Sequence, residues 1–334
     1  MYYNMYNMTT LLISATIFSL YVMNVSGFNV TDNHWSLFQH FVDKHQKQYS
    51  SYTEYKRRFD IFADNLNFIH TENSNGKNKY NLGITKFADL THIEFSKRLN
   101  KFDTIGSSCD KFTSHETTVN EIDWRQKNAV TSVKDQGQCG SCWSFSACGS
   151  MEGVWAIGTG ELISLSEQQL VDCATRSYGN HGCNGGLMDG AFQYAIDNGM
   201  CSNDEYSYNA EKDSCETCTT VASFNGCIDV TPNNQQHLKE AVAMNPVSVA
   251  IEADTRVFQM YSDGVITSDA CGTNLDHGVL IVGYGEEAGT EYWLVKNSWS
   301  ETWGENGYVK IERSDATNDP GICGIAMQPS YPTM

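Results

Sequence analysis

The chain has 334 residues, enough for about two domains of roughly 150 residues each. A hydrophobic content of 40% and a charged content of 19% are ordinary for a globular protein and exclude a disordered or collagen-like chain. The net charge of −18 argues against nucleic acid as a partner, because phosphate binding requires a basic surface.

The charge is divided unevenly along the chain. Residues 1–117 hold 12 Lys and Arg against 11 Asp and Glu, whereas residues 118–334 hold 10 against 29. An asymmetry of this size indicates two parts with different roles. Because protonation relieves repulsion between carboxylates, the acidic part also favours a compartment of low pH.

The N-terminus predicts a signal peptide. An apolar run from Leu11 to Met23 has the length of a signal-peptide core and is too short to span a bilayer; the small residues Ser26 and Gly27 follow it. We expect cleavage after Gly27, although a buried helix is the alternative. No later segment is apolar enough to span a membrane, and in the secretory pathway most of the twelve cysteines should pair.

Residues 33–101 are predicted to be mainly helical. In SYTEYKRRFDIFADNLNFIHTEN, apolar residues recur at three- and four-residue steps, as on one face of a helix. The same stretch spaces Glu54, Arg58, Phe62, Asn65, Ile69 and Asn73 regularly, with Glu54 and Arg58 as a favourable i,i+4 charge pair. Residues 100–120 lose this pattern and predict an exposed linker, where proteases cut.

From residue 121 the pattern predicts helices first and a sheet afterwards. Helices fit CWSFSACGSMEGVWAIGTG, LSEQQLVDCA with Ser166 as its cap, and GLMDGAFQYAIDNG. Strands fit PVSVAIEA, HGVLIVGYG, EYWLVKNSW and GYVKIER. This order indicates an α+β protein in two halves.

The segment QGQCGSCWSF allows three interpretations of Cys139 and Cys142. Together with CETC at Cys215–Cys218 they form two CxxC pairs, but these lie 72 residues apart, against about 15–20 in compact zinc ribbons. A redox dithiol would require a thioredoxin-like βαβ pattern, which does not follow. In the third interpretation Cys142 is a nucleophile, since its sulfur would sit at a helix N-terminus that favours the thiolate.

A nucleophilic thiolate also needs a base and a group that orients the base. NLDHGVLIVGYG places His277 at the start of an apolar strand, and VKNSWSETWGE places Asn297 at the end of the next one. The sequence QGQCGSCWSF and these two motifs resemble, in order and spacing, the active-site motifs of papain-like cysteine proteases. The pattern from Glu54 to Asn73 resembles the inhibitory propeptide of the cathepsin L-like branch.

The resemblance implies a papain-like two-domain fold: a helical half, a β-barrel-like half and an active-site cleft between them, preceded by a mainly helical propeptide. It implies a zymogen with a signal peptide over 1–27, a propeptide over 28–117 and a mature enzyme over 118–334. Cys142 would be the nucleophile of a cysteine endopeptidase and His277 its ion-pair partner. Asn297 would orient the imidazole, with Trp299 shielding that bond, and Gln136 would supply its amide to the oxyanion hole.

The resemblance also implies the substrate-binding residues. Gly185 and Gly186 would bind substrate backbone, and a mostly apolar pocket would accept a hydrophobic side chain two residues before the cut. The remaining residues assigned to substrate binding are Leu187, Met188, Ala250, Leu275, Asp276, Trp299 and Gln328. Three features depart from the family pattern: Thr85 stands where Asn is usual, Ser300 stands where Gly is usual, and the predicted mature start lacks the usual Pro near Val119.

The family's disulfides map onto Cys139–Cys183, Cys173–Cys215 and Cys271–Cys323. For the extra cysteines we expect Cys148–Cys201 and Cys218–Cys227, with Cys109 free in the propeptide. We expect no cofactor and no metal, protein and peptide substrates, the propeptide as inhibitor, and a monomer in a lysosome or acidic vacuole or outside the cell. The alternative is an inactive papain-fold protein used for binding or storage.

Overall fold

The computed structural model describes residues 32–100, 109–267 and 270–334. The predicted signal peptide over residues 1–27 lies outside these ranges, as do residues 101–108 of the predicted linker. Within the described ranges, no helix is both long and apolar enough to cross a membrane.

Eight α-helices form in the described part of the chain, and several begin at a capping side chain. Ser51, Thr91 and Ser166 each accept a hydrogen bond from the backbone N–H three residues further on, which satisfies a donor that has no partner within the helix. The predicted helices are confirmed, including the cap at Ser166. The helices are α1 Asp32–Lys44, α2 Tyr52–Asn73, α3 His92–Ser96, α4 Cys142–Thr159, α5 Glu167–Cys173, α6 Met188–Asn198, α7 Gln235–Met244 and α8 Arg256–Met260.

The described strands form one mixed sheet, in which the four predicted strands are confirmed. The strands are β1 Tyr80–Leu82, β2 Asp110–Lys111, β3 Ile122–Asp123, β4 Gly226–Asp229, β5 Val247–Ile251, β6 Tyr261–Ile266, β7 His277–Glu287, β8 Thr290–Lys296, β9 Tyr308–Glu312 and β10 Ser330–Thr333. Their order is β1-β6-β9-β8-β7-β5-β10-β4-β2, with β3 paired to β7. The pairs β6–β9 and β2–β4 are parallel, and the others are antiparallel.

Two main hydrophobic clusters divide the part of the chain that follows residue 121. One lies in the sheet half and includes Ile281 and Trp293; the other lies among α4, α5 and α6 and includes Met151 and Phe192. The predicted α+β architecture in two halves is therefore confirmed.

A stripe of small residues on α4 joins the two halves. A Cβ atom at Gly149 would lie 2.6 Å from Leu280 Cδ2, and one at Gly153 would lie 2.5 Å from Pro246 Cγ, so both positions have room for glycine alone. The hydroxyl of Ser146 donates to Val279 O at 2.6 Å. Helix α4 therefore lies directly on β7 and on the start of β5.

The N-terminal part of the chain lies on the sheet half. Strand β1 pairs with β6, and the backbone N–H of Gly83 donates to Met260 O at 2.8 Å. The Thr85 hydroxyl donates to Gln259 O at 2.8 Å, and the Gln259 amide donates to Phe87 O at 2.9 Å. Thr85, a departure from the family pattern, therefore forms a docking contact of its own.

Helix α2 is tied to α3 by an ion-pair cluster. Arg58 Nε donates to Glu54 at 2.6 Å, which confirms the pair expected from their spacing, and Arg58 also bonds Glu94 at 3.0 Å. Arg57 donates to Glu94 at 2.8 Å. Hydrogen bonds from Arg57 and Thr91 outweigh the effect of burial and lower the pKa of Glu94 to about 2, so this carboxylate stays charged well below neutral pH.

Five disulfides are present in the described part of the chain, among them the three that the family resemblance implied. These three are Cys139–Cys183, Cys173–Cys215 and Cys271–Cys323. Disulfides of this number are typical of proteins made for an oxidising compartment.

The expected pairs Cys148–Cys201 and Cys218–Cys227 are wrong. Cys201 instead pairs with Cys218, which lies 17 residues away, and Cys148 is unpaired in the core, because mid-α4 packing buries it completely. The expectation that Cys109 stays free is also wrong. Parallel pairing of β2 with β4 puts Asp110 opposite Ile228, which places Cys109 beside Cys227, and these two form the fifth bond.

Asn65 provides a test of how the N-terminal part is held. It is 2% exposed and donates to Ala88 O and Leu90 O at 2.9 Å, while its Oδ1 accepts a hydrogen bond from Arg256 at 2.9 Å. We predict that Asn65→Leu lowers the free energy of unfolding by about 1–3 kcal/mol, because it leaves buried polar groups unpaired. Chemical denaturation of the full chain measures this.

The matched control is Asn67→Leu on the same helix, since the Asn67 side chain makes no hydrogen bond to the described residues. Equal losses in the two variants would contradict the prediction.

Candidate active site

Cys142 is the first residue of α4, and its side chain is buried at 1% exposure. The neighbouring Cys139 is bonded to Cys183, whereas Cys142 is unpaired. Zinc binding or redox chemistry by the pair Cys139 and Cys142 would need both thiols free, so the disulfide excludes both interpretations. The backbone N–H groups of Gly278 and Trp143 form hydrogen bonds that favour the thiolate of Cys142.

His277 and Asn297 come together because β7 and β8 are antiparallel neighbours. His277 is the first residue of β7, and Asn297 directly follows β8. The imidazole Nε2 donates to Asn297 Oδ1 at 2.8 Å, and the ring stacks on Trp299 at a centroid distance of 4.6 Å. The other ring nitrogen, Nδ1, is buried without a hydrogen-bond partner among the described residues. In this tautomer Nδ1 is the atom that can accept a proton.

Gln136 is held rigidly beside the loop that leads into α4. Its Oε1 accepts a hydrogen bond from the Ser298 hydroxyl at 2.6 Å, and its Nε2 donates to Cys139 O at 3.0 Å. Because Ser298 fixes the oxygen end, the amide nitrogen is directed towards the segment that contains Cys142. The sequence assigned all four of these polar residues to one site, and the structure gathers them around the start of α4.

The chain segment before residue 101 lies across this site. The backbone N–H of Asn100 donates to Asp276 O at 3.0 Å, and its side chain donates to Gly140 O at 2.9 Å. Arg98 bonds Gly137 O at 2.6 Å from the same segment. Residues 98–100 therefore lie directly over the entrance to Cys142.

Burial shifts the pKa of both Cys142 and His277. It raises the pKa of the Cys142 thiol to about 12, and the N–H groups around the sulfur offset only part of the rise. It lowers the pKa of His277 to about 4, against the hydrogen bond to Asn297, which favours the charged ring. At neutral pH the covered site therefore holds a neutral thiol and a neutral imidazole.

The two glycines assigned to substrate binding have different surroundings. Gly185 has a φ of +101°, and a Cβ atom there would lie 3.1 Å from the Cβ of Asn100, so this glycine lies against the covering segment. A Cβ at Gly186 would lie 2.7 Å from the Trp143 ring. Packing against Trp143 alone is therefore enough to require glycine at position 186.

The predicted apolar pocket residues fall in one buried cluster. Met188, Ala250 and Leu275 share it, and Met327 packs against it. Leu187 caps α6 and is half-buried, as is Gln328. The sequence analysis missed Met327, although its position next to Gln328 was a usable signal.

Asp276 lies beside His277 and braces the end of β5. Its carboxylate accepts hydrogen bonds from the backbone of Ala253 at 2.8 Å and Asp254 at 3.2 Å. Burial nevertheless raises its pKa to about 8. With its side chain bonded inward, Asp276 meets the covering segment through its backbone oxygen.

A buried ion cluster that the sequence analysis missed lies behind the site. Lys134 forms ion pairs with Glu152 of α4 at 3.0 Å and with Glu167 of α5 at 2.5 Å. Both glutamates also attract the ammonium group of Lys296 of β8 electrostatically. Burial lowers the pKa of Lys296 to about 8. These side chains, together with Asn297, line a cavity of about 20 Å³. The cluster therefore links the helical half to the strand that carries Asn297.

Ser300, the second departure from the family pattern, keeps a glycine-like backbone. Its φ is +69°, in the left-handed region that costs a side-chain-bearing residue about 1–2 kcal/mol. Two hydrogen bonds hold it there: its N–H donates to Lys134 O at 3.0 Å, and its hydroxyl accepts from Thr302 N at 3.1 Å. The loop thus keeps Trp299 against His277.

We predict that iodoacetamide modifies Cys142 slowly in the full chain between pH 5 and pH 9. A group with a raised pKa has little thiolate below that pKa, and the covering segment also blocks access. Removal of residues before 101 should raise the rate at least about 100-fold. Mass spectrometry of the peptide that contains Cys142 measures the rate of modification.

Cys148 is an internal control, because it is fully buried and unpaired and should stay unmodified in both forms. Equal rates for Cys142 in the full and shortened chains would contradict the prediction.

Comparison with known proteins agrees with this arrangement. Residues 118–333 match the family described as papain family cysteine protease, and residues 38–95 match the cathepsin propeptide inhibitor domain. The chain is similar to cathepsin L of Sarcophaga peregrina, with 42% identity over 98% of this chain and 100% of the relative. It is also similar to the probable cysteine protease RD21C of Arabidopsis thaliana, with 45% identity over 97% of this chain and 74% of the relative.

Solved structures extend the similarity to precursor forms. Digestive procathepsin L 3 from the larval midgut of Tenebrio molitor has 40% identity and a TM-score of 0.84, covering 91% of this chain and 100% of its own. A recombinant stem bromelain precursor has 38% identity and a TM-score of 0.83, covering 91% and 99%. The chain belongs to the papain family of cysteine proteases, which are hydrolases, and it carries a cathepsin propeptide inhibitor domain ahead of its papain-fold protease domain.

Proposed function

We propose that this chain is the zymogen of a cysteine endopeptidase in which Cys142 and His277 are the catalytic pair. The observation that carries the proposal is an unpaired cysteine at a helix N-terminus, beside a strand whose first residue is a histidine bonded to Asn297. A nucleophile, a base and a group that orients the base are the parts that acyl transfer needs.

In this mechanism the propeptide first leaves the cleft. Once water reaches the site, burial no longer disfavours charge, and the Cys142 proton moves to His277 Nδ1 to give a thiolate and an imidazolium. Asn297 favours the imidazolium because its Oδ1 accepts the Nε2 hydrogen. The helix N-terminus and the N–H of Gly278 favour the thiolate.

The thiolate then attacks the substrate carbonyl carbon and forms a tetrahedral intermediate. The Gln136 amide and the Cys142 backbone N–H stabilise its oxyanion. His277 gives its proton to the leaving amine, the C–N bond breaks, and a thioester remains on Cys142. Water, deprotonated by His277, attacks the thioester, which releases the acid product and restores the thiol.

We predict that Gln136→Ala lowers kcat/KM for a peptide substrate by about 10²–10³-fold in the activated enzyme, since it removes one oxyanion donor. Cys142→Ala should abolish turnover. The matched control is Gln138→Ala, because Gln138 is exposed and, within the described residues, its side chain bonds only Arg98 of the propeptide. Steady-state hydrolysis, with an epoxysuccinyl probe to count active sites, measures all three.

An unchanged kcat/KM in Gln136→Ala would contradict the assignment of Gln136 to the oxyanion hole. Failure of the wild-type chain to hydrolyse any peptide or to bind the probe at Cys142 would contradict the proposal that the chain is an enzyme. It would favour a binding or storage protein.

The proposed substrate preference is an apolar residue two positions before the cut. Met188, Ala250 and Leu275 belong to one buried apolar cluster, and Gln328, next to Met327 of that cluster, is neutral and half-buried. We predict that Gln328→Glu raises kcat/KM for Arg relative to Leu at this position by about 10-fold, because a partly buried carboxylate pairs with the guanidinium. A matched peptide pair that differs only at this residue measures the ratio.

Gln328→Leu, which adds no charge, is the control. A preference for Arg in the wild-type enzyme would contradict the proposed pocket.

We also propose a monomer that works in a lysosome or acidic vacuole, or after secretion. The five disulfides support an oxidising compartment, and the excess of acidic residues after position 117 supports one of low pH. Colocalisation of the tagged chain with an acidic-organelle dye tests it, and a cytosolic location would contradict it.

A further inference from the structure

The short segment over residues 109–117 lies on the protease domain, although it precedes the predicted mature start at 118. Strand β2 pairs in parallel with β4, with Asp110 opposite Ile228. The next residue continues the pairing, because the N–H of Phe112 donates to Asp229 O at 2.9 Å. The segment thus covers the edge of β4, which would otherwise expose unpaired backbone groups.

A disulfide fixes the start of this segment. Cys109 is bonded to Cys227, which is 4% exposed, and their Cα atoms are 4.8 Å apart. The Cys109 sulfur also lies within 4.8 Å of the carboxylate of Asp189, in the first turn of α6. The disulfide therefore lies against the first turn of α6.

The end of the segment is held by α7. Glu240 is 3% exposed and accepts hydrogen bonds from the Ser114 hydroxyl at 2.8 Å and from the His115 N–H at 3.0 Å. The Phe112 ring lies 5.5 Å from the His237 ring. The segment therefore contacts the protease domain along its length.

The inhibitor domain is attached in a different way. Cys109 is the first cysteine of the sequence, so no residue before it can form a disulfide. Residues 32–100 are held by hydrogen bonds, ion pairs and apolar packing alone. Displacement of the inhibitor domain therefore needs no covalent change apart from a cut in the chain, whereas displacement of residues 109–117 needs reduction of Cys109–Cys227.

We propose that residues 109–117 stay on the enzyme after the propeptide is removed, bonded through Cys109–Cys227. A cut before Cys109 leaves them as an N-terminal extension. Two cuts, one before Cys109 and one near residue 117, leave them as a separate peptide that is disulfide-linked to the protease domain. In both cases the mature enzyme keeps β2 as a strand of its sheet and keeps Cys227 protected.

The first experiment maps the disulfides of the full-length Cys142→Ala chain, which needs no activity. Peptic digestion at acid pH without reductant should give a linked peptide pair that contains Cys109 and Cys227. A Cys218–Cys227 link, or an alkylated Cys109, would overturn the proposal.

The second experiment measures the intact mass of the processed wild-type protein before and after treatment with dithiothreitol. The unreduced mass should include residues 109–117; reduction should release them as a peptide if the chain is cut both before 109 and near 117, and should leave them in place if the only cut lies before 109. An unreduced enzyme that lacks these residues would overturn the proposal. An added mature relative of the family performs the cut if the chain does not process itself, which separates this result from a failure of the proposed function.

The variant Cys109→Ser completes the test. After processing without reductant, Cys227 should react with iodoacetamide in the variant and stay unmodified in the wild type. The double variant Cys109→Ser, Cys227→Ser, which has no odd thiol, is the control for folding. Alkylation of Cys227 in the unreduced wild-type enzyme would contradict the covalent link.

Discussion

The close contact of α4 with the sheet determines the position of every reactive group in this protein. Gly149 and Gly153 leave no space for side chains, and the Ser146 hydroxyl donates to Val279 O at 2.6 Å. This fixes the separation between the helix and β7. Cys142 begins the helix and His277 begins the strand, so their relative position follows from the same packing. Close-packed interiors transmit small displacements, so a methyl group added at Gly149 or Gly153 would force Leu280 or Pro246 to shift.

In the proposed zymogen, the propeptide would inhibit through two physical effects. Residues 98–100 occupy the cleft against Gly140 and Gly185, which denies access to substrate. Burial of Cys142 and His277 moves both pKa values in the direction that disfavours charge. With a pKa of about 12, a thiol is ionised to only about one part in 10⁵ at pH 7. In the covered site, substrate access is therefore obstructed and the thiol is almost entirely un-ionised at neutral pH.

The disulfide pairs could be predicted only in part from the sequence. The family resemblance supplied three pairs, but the remaining cysteines could be assigned only by tertiary contacts. Cys148 resembles a disulfide partner in a list of cysteines, yet it lies buried within α4 and is unpaired. Cys109 pairs with a residue 118 positions away because a two-residue strand settles on the edge of β4. Nothing in the local sequence predicts so short a strand.

The sequence by itself predicted the helical N-terminal region, α4, α5 and α6, the strands β5, β7, β8 and β9, and the two-part organisation, all from periodicity. It assigned Cys142, His277, Asn297 and Gln136 to one site through the resemblance of their motifs to those of papain-like proteases. Only the tertiary structure decided the covering of the site, the buried ion cluster of Lys134, Glu152, Glu167 and Lys296, and the fate of the extra cysteines. Those features depend on residues that are distant in the chain and meet only after folding, and the energies of buried charges and thiols depend on that burial.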